Sequence, residues 1–178
     1  MATDNKAPGD LELVRLFVNT NDVEEGSDEI ATPKSLRTWV KDNGLPVGQI
    51  DDADVKRAIA AREGLRGLLL ANNGEPLDPG AVEALNRTAP SVSVRFDAEG
   101  GSALAAERTG IDLALAPIFD AVFCAMTEGT WKRLKACRED TCQWAFYDRS
   151  KNRSGTWCSM EVCGNRNKAR KFRAKHNG

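Results

Sequence analysis

Apolar side chains recur at helical spacing over residues 52–72, where Val55, Ile59, Leu65, Leu68 and Leu69 would share one side of a helix. Asp51 or Asp52 supplies its N-cap, and Asn72-Asn73-Gly74 its stop. Leu11–Asn19 is a compact apolar run that predicts a helix rather than a strand. Thr32-Pro33 and Asp78-Pro79 each pair a capping residue with a proline suited to the first helical turn. They predict helices to about Asn43, ended by Gly44-Leu45-Pro46, and to about Thr88. Ser91–Phe96 alternates polar and apolar, which predicts a strand. Gly100-Gly101 turns the chain into a second short strand over Ala103–Glu107. Gly110–Thr127 predicts a helix that crosses the core and carries Cys124 as a small buried hydrophobe. Beyond Gly129, strands are predicted over Thr130–Lys135 and Gln143–Tyr147, and a basic helix over Gly164–Lys175.

Two pairs of cysteines punctuate that last stretch. Cys137 and Cys142, then Cys158 and Cys163, are each spaced C-x4-C, with fifteen residues between the pairs. Zn²⁺ takes four thiolates tetrahedrally at about 2.3 Å, and two local pairs joined by a returning hairpin can supply them. Two disulfides, or buried free thiols, are the alternatives. The N-terminus lacks the basic start and apolar run of a secretory signal, so a cytoplasmic location and reduced thiols are expected. One structural Zn²⁺ is therefore the preferred reading. So small a segment gains its folding free energy from the metal. Four protein ligands leave no open position for catalysis, and His176 is the only histidine. No enzyme is expected.

The sequence has 178 residues with 41% hydrophobic positions, enough for one domain plus a small module, and no run long enough to span a membrane. Its net charge of −1 conceals an asymmetry, because residues 131–178 hold thirteen Lys/Arg against four Asp/Glu. The expected organisation is α+β. A mainly helical N-terminal domain with a short β hairpin, residues 1–130, precedes a treble-clef-like four-cysteine zinc module, residues 131–178.

The run Trp157-Cys158-Ser159-Met160-Glu161-Val162-Cys163-Gly164-Asn165-Arg166-Asn167-Lys168 closely resembles the CGNR zinc finger. Cys137-x4-Cys142 matches that family's first ligand pair, and Phe146-Tyr147-Asp148-Arg149-Ser150 its linking segment. Gly155-Thr156 departs from it, standing where basic residues are expected. The resemblance covers about Lys135–Lys175. In bacteria this finger commonly follows a domain called ABATE, which carries the description of a stress-induced transcription regulator. Phe17-Val18-Asn19-Thr20, Leu36-x-x-Trp39 and Ala61-Arg62-Glu63-x-Leu65-Arg66 are similar to that domain's motifs. The resemblance implies zinc binding and DNA binding.

In the basic helix, Ala169 and Phe172 would face the module's core with Met160 or Val162. Arg166, Lys168, Arg170, Lys171, Arg173 and Lys175 would spread over its remaining surface, suited to a groove flanked by phosphates. Arg149, Lys151 and Arg153 would clamp a neighbouring phosphate. Asn165, Arg166 and Asn167 would read bases, unless Asn165 and Arg166 instead cap the helix and brace the knuckle. Trp144, Phe146, Tyr147 and Trp157 are expected to form the module's small core.

Duplex DNA is thus the expected partner, with a homodimer helping a lone module to bind. Two other readings stand. One is an RNA-binding or ribosome-associated protein. The other is a small-molecule binder or enzyme with structural zinc, its effector pocket near Asn19, Asn21 and Asp22.

Overall fold

The computed structural model describes residues 5–107 and 109–176. Residues 1–4, the start of the segment read as lacking a secretory signal, lie outside the described residues.

Capping chemistry sets the starts of three helices. Thr32 accepts from the backbone N–H of Ser35, and the Ser35 hydroxyl returns the bond, opening α2 over Pro33–Asp42. Asp51 and Asp54 make the same reciprocal pair ahead of α3, Asp52–Asn72. Asp78 caps α4, Pro79–Thr88. The remaining helices are α1, Leu11–Val18; α5, Asp112–Thr127; and α6, Asn165–His176. Among the described residues, the strands form three antiparallel two-stranded ribbons. β1 (Asn21–Asp22) pairs with β2 (Ser27–Asp28), a small hairpin that the apolar pattern did not predict. β3 (Val92–Phe96) pairs with β4 (Ser102–Ala106), as expected. β5 (Leu134–Ala136) pairs with β6 (Ala145–Tyr147). Residues Trp131–Arg133 form a 3-10 turn rather than the start of a strand.

α3 is the hub. Phe17 and Val18 of α1, Leu36 and Val40 of α2, and Leu115 and Ile118 of α5 join its Leu65 and Leu69 in one buried cluster. α4 packs closely on α3 because Gly64 and Gly67 face it. A Cβ at Gly67 would lie 2.5 Å from the Cβ of Ala81. The same core takes in Trp131, Leu134, Ala136 and Ala145, so β5 and β6 are built into the helical body. Cys124, expected inside, is exposed. The buried face of α5 runs through Ile118, Ala121, Val122 and Ala125, which turns Phe123 and Cys124 outward. Among the described residues, no helix is long and apolar enough to cross a membrane.

Candidate metal centre and basic helix

The first cysteine pair lies in the connection between β5 and β6, rather than ahead of a hairpin. The Cys137 N–H donates to the carbonyl of Trp144 at 3.0 Å, continuing the ladder past Ala136. Cys142 and Gln143 both donate to the carbonyl of Glu139, at 2.8 and 3.0 Å, which curls the loop into a tight turn. The second pair sits in a π-helical turn, Met160–Gly164, opened by Ser159, whose hydroxyl accepts from Val162 at 3.3 Å.

These two turns bring four sulfurs together. The ligand atoms of Cys137, Cys142, Cys158 and Cys163 all lie within 4.8 Å of one another. Cys142 and Cys158 are 3.6 Å apart, and Cys158 and Cys163 are 3.8 Å apart. A tetrahedron with bonds of about 2.3 Å has edges of about 3.8 Å, so the set fits one Zn²⁺. The distances are too long for disulfide bonds, and all four thiols are free.

Electrostatics points the same way. Hydrogen bonds from Cys142 and Cys158 hold the Cys137 thiol far below its ordinary value. Cys158 is pushed up by its bonds to Cys137 and Cys142, and Cys163 is pushed up to about 12 by burial and by the charge on Cys137. A second thiolate is therefore costly without a cation, and a dication removes that cost. Trp144 and Trp157 pack against the buried sulfurs, as the sequence suggested, whereas Tyr147 packs against the main core and Phe146 is a buried residue of β6.

A buried ion pair shapes the loop that returns the chain to Cys158. Lys135 of β5 donates to Asp148 at 2.7 Å and to the carbonyls of Arg153 and Gly155 at 2.6 and 2.9 Å. Asp148 also accepts from the backbone of Ser150 and Gly155, at 2.9 and 2.8 Å. Burial opposes its charge, but Lys135 and Ser150 prevail and hold its carboxyl down at about 2. This explains the departure at Gly155. A Cβ there would lie 2.8 Å from the Asp148 carboxyl, so no basic side chain fits.

The expected nucleic-acid residues divide into tied and free. Arg166 pairs with Glu24 of the β1–β2 hairpin at 2.6 Å, and Arg170 pairs with the buried Glu139 inside the first knuckle. Asn165 donates to the carbonyl of Glu161 at 2.9 Å, bracing the second knuckle. Arg149 donates to the Lys6 carbonyl at 3.0 Å and lies over the Tyr147 ring. Lys151, Arg153, Lys168, Lys171, Arg173 and Lys175 are exposed, and Asn167 is half-buried.

The expected apolar stripe of α6 is not an inward face. No residue of α6 is buried, and Phe172, Met160 and Val162 are 63%, 55% and 46% exposed. Phe172 stacks on His176 of its own helix, with centroids 4.0 Å apart. Ion pairs, rather than apolar packing, fix the helix to the body.

Asn19, Asn21 and Asp22, read as a pocket, are engaged in structure. The buried Asn19 amide donates to the Ala145 carbonyl at 3.0 Å and accepts from its N–H at 2.7 Å. Asn21 donates to Glu63 at 3.3 Å, and Asp22 accepts from the backbone of Glu24 and Glu25. The sequence reading missed the fastening role of Arg62-Glu63-x-x-Arg66. Arg62 forks onto Asp28 at 2.7 and 2.9 Å. Arg66 donates to the carbonyls of Val18 and Gln143, at 2.7 and 2.8 Å, joining α1 and α3 to the first knuckle. Arg62 and Arg66, each three positions ahead of a buried leucine (Leu65 and Leu69), were the available signal, because buried charge needs partners.

Two family models match successive parts of the chain. Residues 133–176 match the CGNR zinc finger, and no curated protein matches the chain. Residues 11–129, well over half of the sequence, match ABATE, described as "Putative stress-induced transcription regulator". The chain belongs to the ABATE family and carries a CGNR zinc finger at its C-terminal end.

Proposed function

We propose that this protein is a transcription regulator that binds duplex DNA through its zinc-stapled basic module, with no catalytic role. The observation that carries the reading is the free face of α6. Arg166 and Arg170 lie one turn apart and hold the helix to Glu24 and Glu139. At 3.6 residues per turn, Lys168 and Lys175 fall on the opposite side and Lys171 on the flank, and all three are exposed. A cationic stripe on a helix anchored by metal-bound turns suits a groove edged by phosphates. Lys151 and Arg153 lie in the preceding loop and extend the positive surface. When bound, zinc supplies the coordination that folds both turns, and its closed sphere of four sulfurs takes no substrate.

The test is fluorescence anisotropy of a labelled duplex with zinc-loaded protein across a salt series. Binding should weaken steeply with salt, and replacing Lys168, Lys171 and Lys175 by Ala should lower the log–log slope by about two to three. No binding to any duplex at low salt contradicts the reading. Tighter binding to a structured RNA in the same assay would favour the RNA-binding alternative. Among Trp144, Phe146, Tyr147 and Trp157 none is exposed, so those four offer no stacking platform for single strands.

A further inference from the structure

We propose that a cleft between α3, the end of α5 and Trp131 is a binding site for a small apolar acid. The cleft has a volume of about 520 Å³. Its walls are mainly apolar, from Leu68, Ala71, Leu77, Met126 and Trp131. Leu77 and Met126 are left 53% and 46% exposed there, uncovered by any segment among the described residues. Gly129 lines the same cleft and puts no side chain into it. A concave space of this volume falls within the range of roughly 300–1,000 Å³ typical of small-molecule sites, whereas a docked protein needs a broad surface.

Charge selects the ligand's sign. Among the described residues, the two ionisable ones on the lining are Glu75 and Lys132. Glu75 is neutralised by Arg138 at 2.6 Å. Lys132 is exposed and has no ion-pair partner among the described residues. An apolar body fills the cleft while a carboxylate meets Lys132. The same arrangement leaves a cationic amphiphile without a partner and facing a like charge.

The position gives the site a consequence. Asn72 on the lining donates to the carbonyls of Trp131 and Leu134, at 3.0 and 2.9 Å. Trp131 and Leu134 open the segment that leads directly into Cys137. A ligand seated here presses on the junction between the helical domain and the zinc module. The inference concerns a different surface from the DNA-binding face and stands independently of it.

The experiment uses the full-length zinc-loaded protein with ¹³C-methyl methionine. Met126 reports the cleft, and Met160, far along the chain in the second cysteine turn, is the internal control. Decanoate, decanol and decyltrimethylammonium are titrated below their micellar concentrations. The expected result is a saturable shift of the Met126 methyl by decanoate, weaker binding of decanol and none of the cation. Lys132→Glu should weaken decanoate roughly five- to tenfold and admit decyltrimethylammonium. Leu77→Asp, in an exposed loop position, should abolish decanoate binding while leaving zinc content unchanged. No Met126 shift with any probe overturns the site. Binding unaffected by both variants also overturns it, because the probe then sits elsewhere. Equal affinity for decanoate and decanol, unmoved by Lys132→Glu, overturns the assignment of an acid.

Discussion

Lys135 places an ammonium in the buried side of β5, and nearly everything about the following loop depends on how it is satisfied. Its three acceptors, Asp148, Arg153 and Gly155, fix the path that carries the chain from β6 to Cys158. Lys135→Met leaves the Asp148 carboxylate buried without its partner and should cost roughly 3–5 kcal/mol in urea denaturation. The carboxyl of Asp148 titrates below its ordinary value, so its contribution is complete above pH ~4. That contribution, about 2 kcal/mol, should fade as the pH falls towards about 2, which a denaturation series against pH would show. The sequence offered Gly155 only as a missing cation. Its role depends on a contact with Asp148, seven positions away, that no local pattern encodes.

At the scale of elements, α6 separates two ways of holding a helix. Periodicity suggested that Ala169 and Phe172 would be buried, yet the helix is fixed by Arg166–Glu24 and Arg170–Glu139. Phe172→Ala should therefore change stability by no more than about 0.5 kcal/mol, where a core phenylalanine would cost roughly 3–5 kcal/mol. Arg170→Ala leaves Glu139 buried and unpaired. Amide exchange across α6 should then quicken, with zinc retained. Thermal denaturation and hydrogen exchange read these two outcomes.

The same contrast explains what was legible. α2, α3 and α4 announce themselves through Thr32-Pro33, Asp51 and Asp78-Pro79, because caps act over three residues. The β3–β4 hairpin follows from alternation around Gly100-Gly101. The β1–β2 hairpin is held by Asp28 and Arg62 across 34 positions, a link that neither alternation nor turn residues reveal. The cysteine spacing identified all four sulfurs of the metal centre, since each pair needs only a local turn. The partners of Arg166 and Arg170, by contrast, come from distant sequence.

Across the whole molecule, the helical body and the zinc module share a core rather than hanging on a linker. Trp131, Leu134, Ala136 and Ala145 are buried with the helices. Asn19 clamps Ala145, Arg66 holds Gln143, and Asn73 donates to the carbonyls of Ala136 and Thr156, both at 2.8 Å. Asn19→Ala strands a buried N–H and a buried carbonyl and should cost roughly 1–3 kcal/mol for each group. Removing zinc should lower the thermal transition of the helices as well as the module, observed as one cooperative unfolding by far-UV circular dichroism. Such coupling offers a route by which a molecule bound in the cleft beside Trp131 reaches the basic helix.

The coordination of the metal decides most directly whether this account stands. Zinc K-edge X-ray absorption on the protein as purified should show one zinc per chain with four sulfur neighbours at about 2.3 Å and no oxygen or nitrogen shell. Absence of zinc, or a mixed shell of sulfur with oxygen or nitrogen, would contradict a closed centre built from Cys137, Cys142, Cys158 and Cys163.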